Sequence, residues 1–96
     1  MNVVQIDLAQ FGKNLGSRNL GESVFNEFKN ELIVAEKVIV DFENVDKMTL
    51  SFGTELFDSI YSLGKSIETV NANNFISRII KFCLSNQKAK QELVLS

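Results

Sequence analysis

Histidine does not occur in this chain of 96 residues. Its absence removes the commonest general base and the commonest metal ligand. Catalytic arrangements built on Ser–His or Cys–His are thereby excluded. With one cysteine, Cys83, and no histidine, a thiolate–imidazole zinc site lacks its ligands. No metal and no cofactor is expected. The lone cysteine also leaves no internal disulfide and fits a reducing compartment. Proline is missing too, so the chain has no rigid punctuation. Basic runs are missing as well: ten lysines and arginines are scattered among twelve carboxylates, for a net charge of −2 and a pI near 5.0. A nucleic-acid binder shows a basic stripe or a high pI, so nucleic acid is not an expected partner. No apolar run approaches the ~20 residues that span a bilayer. The start, MNVVQIDLAQ, has no basic stretch and carries Asp7 inside its apolar part, so it does not read as a signal peptide. A cytoplasmic protein without a membrane partner is expected.

What is present suits one folded domain over residues 1–96. Hydrophobic residues make up 45% and charged residues 23% of the chain, which separates it from disordered sequences. In residues 2–8, Val4, Ile6 and Leu8 alternate, which predicts a strand. Gly12, Asn14 and Gly16 mark residues 9–17 as a loop. Leu20, Val24, Phe28 and Leu32 then recur every four residues and predict a helix, with Ser17 as its N-cap. The β-branched run at residues 37–42 predicts a second strand, buried on both faces. A polar loop, ENVDKMTL, leads to a second helix over residues 51–63, with Phe52, Leu56, Ile60 and Leu63 inward and Gly64 as its stop. Residues 66–70 read as a third strand. Asn71, Asn73 and Asn74 make a turn and a cap. A third helix follows, with Phe75, Ile76, Ile79, Ile80 and Cys83 inward, and the tail from Gln87 either extends it or frays. Phe28, Ile39, Leu56 and Ile80 are the expected core representatives of the principal elements. The order β-α-β-α-β-α predicts a small, mostly parallel sheet with about three helices, an α/β fold. In such folds ligands meet the loops at the carboxyl ends of the strands. Those loops lie around Gly16-Ser17-Arg18, Glu43 to Ser51, and Asn71 to Asn74.

Few side chains suggest chemistry. Asp41, Glu43 and Asp46 resemble a phosphate-accepting acidic cluster, but QFGKN after the first strand lacks the further carboxylates such chemistry needs. A solvated acidic loop is the better reading. Gly12 to Arg18 falls short of a P-loop, because only three residues separate its glycines and Arg18 follows Ser17. An anion could still sit at that helix start beside Arg18. Cys83 lies on an apolar helical face and reads as a small core residue. Phe57 and Tyr61 form a second stripe on helix two. It is either a partner-binding patch or part of a wide face packed on helix one as well as the sheet. No enzyme is expected.

Three segments in order, LGSRNLGESVFNEF, VIVDFENVDKMTLSFGTELF and VNANNFISRIIKF, resemble the STAS-like domains, relatives of the anti-sigma-factor antagonists. The resemblance runs from about residue 10 to residue 83. It implies a regulatory protein-interaction module that partners a histidine-kinase-type ATPase or an anti-sigma-like protein. In the antagonists, phosphorylation of a serine at the start of helix two breaks the complex, and Ser51 corresponds to it. The antagonists usually carry an acidic residue two positions before that serine and glycine just after it. Here Thr49 and Phe52 stand there. Ser51 is thus the possible phosphoacceptor, and a cap for helix two. Arg18, Glu43, Asp46, Thr49, Phe57 and Tyr61 are the partner-binding candidates. The alternative is a small-ligand or nucleotide sensor using the loops at the strand ends.

Overall fold

Strands form where β-branched residues cluster, and helices where apolar residues return every three or four positions. The computed structural model describes the backbone of residues 2–95 and the side chains of residues 2–85. In chain order the elements are β1 (Val3–Asp7), a 3₁₀ turn (Leu8–Phe11), β2 (Asn14–Leu15), α1 (Arg18–Val34), β3 (Lys37–Asp41), β4 (Lys47–Met48), α2 (Leu50–Ser62), β5 (Ser66–Val70) and α3 (Asn74–Leu95). The main sheet has the order β1-β3-β5, and both pairings are parallel. The expected α/β alternation is therefore present, and the helix of the tail runs on through Leu95.

Register assigns the faces. Val4, Val38 and Ile67 lie side by side, as do Ile6, Val40 and Thr69. Ile6, Val38 and Val40 are fully buried, because α1 and α2 pack on that side and against each other. The alternate rows, Gln5–Ile39–Glu68 and Asp7–Asp41–Val70, face the other way. Gln5 and Glu68 are exposed there and Ile39 is only partly buried. A Lys37–Glu68 ion pair of 3.4 Å also lies on that face. The expectation that β3 is buried on both faces is thus corrected: α1 and α2 share one side, so the sheet has a wet face. Leu56 and Ile80 are core residues as expected, whereas Phe28 is only partly buried. The Phe28 ring meets Phe11 edge-on at 6.3 Å instead.

The helix layer is tight because of two glycines. A Cβ on Gly21 of α1 would lie 2.9 Å from the Phe52 carbonyl oxygen of α2, and a Cβ on Gly53 of α2 would lie 2.8 Å from Cys83 Sγ of α3. Gly21 admits the backbone of a neighbouring helix, and Gly53 makes room for the Cys83 and Met48 side chains. Ile76, Ile80 and Cys83 of α3 are buried as expected, but Phe75 is 49% exposed. The α3 contact is with α2 and β4, too narrow to cover the flank on which Phe75 lies. Burial pushes the Cys83 thiol up from its ordinary pKa, so it stays protonated and inert.

β2 and β4 were not expected. These two-residue strands pair in parallel, Asn14 with Lys47 and Leu15 with Met48. Leu15, Val45 and Met48 are buried, so the supposed polar loop is pinned by apolar anchors.

Candidate functional site: the rim where two helices begin

The small β2–β4 ladder brings the loops before α1 and α2 together. Lys13 O accepts from the Asp46 and Lys47 amides (2.8 and 3.2 Å), and Leu15 O accepts from the Thr49 amide (2.9 Å). The third loop joins through Asn73. Its Nδ2 donates to the carbonyls of Val45 (3.4 Å) and Asp46 (3.0 Å), and its Oδ1 caps α3 by accepting from the Ile76 amide (2.8 Å). The three loops foreseen at the strand ends do converge.

Both helix starts are capped by hydroxyls, as serine and threonine favour. Ser17 Oγ accepts from the Leu20 amide at 3.1 Å. Thr49 Oγ1 accepts from the Phe52 amide at 3.1 Å and from the Ser17 amide at 3.4 Å. One threonine thus links the two caps. Ser17 is held at φ +93°, a left-handed region unusual for serine. The expectation that Ser51 caps α2 is corrected: the helix begins one residue earlier, at Leu50, and Thr49 is its cap.

That correction leaves the Ser51 side chain exposed on the first turn of α2. Ser51 borders an open hollow of about 410 Å³ shared with Arg18, Leu50, Thr54, Glu55 and Asp58. Arg18 Nε donates to Glu55 Oε1 at 2.8 Å; the arginine side chain is 79% exposed and the glutamate 19%. Sequence reasoning missed Thr54 and Glu55, although both lie within one turn of Ser51 and hence on its side of the helix.

The other candidates lie apart from this hollow. Glu43 and Asp46 are exposed on the neighbouring loop. Phe57 is only 1% exposed, so the wide-face packing reading holds and no partner reaches it. Tyr61 is half-buried, and that burial raises its pKa. It lies ten residues from Ser51 on α2, about 15 Å along the axis.

Asp41 at the end of β3 is a structural hub. It is 7% exposed. Its Oδ1 accepts from Asn71 Nδ2 (3.0 Å) and the Glu43 amide (2.9 Å), and its Oδ2 from Gln5 Nε2 (3.2 Å). These donors, Asn71 foremost, hold its carboxyl below the ordinary pKa against the opposing effect of burial. Its three partners lie on β1, on the loop after β3 and just past β5, so the carboxylate knots the sheet ends together. Among the described residues no group of three or more Cys, Asp or Glu side chains is placed to hold a metal ion. None of the described helices is long and apolar enough to cross a membrane.

A family model described as a STAS-like domain of unknown function matches residues 21–89, from within α1 into α3. No curated protein and no solved structure matches the chain.

Proposed function

The chain belongs to the family of STAS-like domains, and from that premise we propose that it is a non-catalytic, cytoplasmic regulatory module that binds a protein partner at the rim holding Ser51. The partner proposed is a histidine-kinase-type ATPase or an anti-sigma-like protein, with a phosphate on Ser51 as the switch. One observation carries the reading. The α2 cap is supplied by Thr49, so the Ser51 hydroxyl is exposed on the first turn with no structural duty. A phosphate there brings close to two negative charges and three acceptor oxygens. It would sit at a helix start whose dipole welcomes it, so the fold survives while the partner meets new charge. The absence of histidine supports a non-catalytic role. In the hollow beside Ser51 a nucleotide is disfavoured, because the Glu55 and Asp58 carboxylates line the wall and Glu55 already occupies Arg18.

The test is capture of the partner from the source cell, followed by incubation of the purified pair with ATP and intact-mass measurement. One added phosphate, absent in Ser51→Ala, is expected to accompany dissociation. Ser51→Glu is expected to fold normally and bind more weakly. A complex that persists without added phosphate and tolerates Ser51→Glu would reduce the switch to an idle surface hydroxyl.

A further inference from the structure

The outer flank of α3 combines exposed aromatic rings with basic side chains. Phe75 and Phe82 are 49% and 61% exposed. They are seven residues apart, so they lie on one side of the helix about 10.5 Å from each other, with Arg78 between them on the same side. Arg78, Lys81, Phe82 and Ser85 border an open hollow of about 300 Å³. Beyond Phe75 a second hollow, of about 380 Å³, is bounded by the β2–β4 ladder and includes Leu15, Lys47 and Met48. Among the described residues, no carboxylate lines either hollow, in contrast to the one beside Ser51. Among the described residues no ion pair involves Arg78 or Lys81. The sequence repeats this asymmetry. Residues 1–73 hold eleven of the twelve carboxylates and six of the ten bases. Residues 74–96 hold Glu92 alone against Arg78, Lys81, Lys88 and Lys90. A basic helix has been laid on an acidic body.

We infer that the Phe75–Phe82 flank of α3 docks an acidic amphipathic helix of another protein. Charge complementarity selects an acidic occupant, because cations border both hollows and, among the described residues, no carboxylate of the strip competes. The two hollows select protruding apolar side chains, and anchors one heptad apart suit a helix laid along α3. A lipid surface fits less well. The inner face of α3, with Ile76, Ile80 and Cys83, is already buried against the domain. Among the described residues this flank adds two exposed phenylalanines, with Leu84 exposed elsewhere on the helix, rather than the broad apolar face that an interfacial helix inserts. This strip does not depend on Ser51.

The test uses the full chain and a labelled synthetic peptide, a helix of leucine and glutamate with leucines at heptad spacing. Its lysine-for-glutamate counterpart and phosphatidylcholine vesicles with a quarter phosphatidylglycerol serve as rival probes. Fluorescence anisotropy is expected to show the acidic peptide binding, less tightly as salt rises. Phe82→Ser, and separately the pair Arg78→Glu with Lys81→Glu, should each weaken it about tenfold or more while melting temperature stays unchanged, since these positions are exposed. Ser51→Glu should leave it bound, since Ser51 borders neither hollow, which separates this strip from the phosphate switch. The inference is overturned if the acidic peptide does not bind, if the lysine peptide binds equally, or if vesicles bind in preference. A concentration-dependent dimer abolished by Phe82→Ser would overturn it too, by making a second copy the occupant.

Discussion

Thr49 and Ser51 show how much one hydroxyl's position matters. Both are small, polar and two residues apart, yet only Thr49 accepts amide protons at the head of α2. Thr49→Ala should therefore destabilise the domain by about 1 kcal/mol, the usual value of a cap. Ser51→Ala should change stability by less than about 0.5 kcal/mol, as exposed substitutions do. Urea midpoints of the two variants decide it, and equal losses would return the cap to Ser51. Asp41 carries a pH signature. Its carboxyl is held below the ordinary value, chiefly by the Asn71 amide and then by the Glu43 N–H. The unfolded chain thus takes up the proton first on acidification. The stability that Asp41 contributes is full above the unfolded value of about 3.9 and fades as pH falls through the lower folded one. The stability gap between wild type and Asp41→Asn should be constant near neutrality and shrink below about pH 4 in urea titrations. A gap that ignores pH would mean that the carboxylate's charge is not what holds the sheet ends.

At the scale of elements, the two glycines in the helix layer make opposite predictions. Alanine in a helix gains up to about 1 kcal/mol over glycine, while overpacking costs about 1–3 kcal/mol. At Gly21 the added methyl meets a backbone carbonyl oxygen at 2.9 Å and Glu55 Cβ at 3.1 Å, neither of which can step aside. Gly21→Ala should lose about 1–2 kcal/mol as α1 and α2 are forced apart. At Gly53 the neighbours are Cys83 Sγ and the Met48 methyl, at 2.8 and 3.2 Å, the ends of side chains that can turn. Gly53→Ala should be close to neutral by thermal melting, and a larger loss there than at Gly21 would reverse the account. The main elements were legible because their residues repeat. The valine-rich run 38–40 and the four-residue spacing of Leu20 to Leu32 each encode one geometry. β2 and β4 were not legible, since a two-residue strand carries no period. Phe57 allows two readings, and Phe75 is assigned inward against the structure, for a related reason. Periodicity gives the direction of a buried face but not its width, which depends on how many neighbours pack against it. The rim was half legible: its loops were foreseen, but the Arg18–Glu55 pair joins residues far apart in sequence, and no local pattern announces it.

Considered whole, the molecule is one-sided in two senses: α1 and α2 share one face of the sheet, and positive charge is gathered on α3. Its strand pairing has a further, kinetic meaning. Every rung of the three ladders is parallel and joins residues roughly thirty positions apart, so among the described residues no hairpin exists to nucleate folding. Long loops must close before any rung forms. The α1–α2 seam, the largest contact between elements, is the place where early collapse can be rewarded. Leu56→Ala, at a fully buried position of α2, should cost about 2–5 kcal/mol and slow refolding. Met48→Ala in the small ladder should instead chiefly quicken unfolding. Stopped-flow chevrons separate the two, and the reverse assignment would place the nucleus in the ladder. With no proline in the chain, refolding should lack the isomerisation phase of tens of seconds. The ladder that aligns the two helix caps would then be the last piece to set and the first to open, so the rim can loosen on its own while the core stays closed.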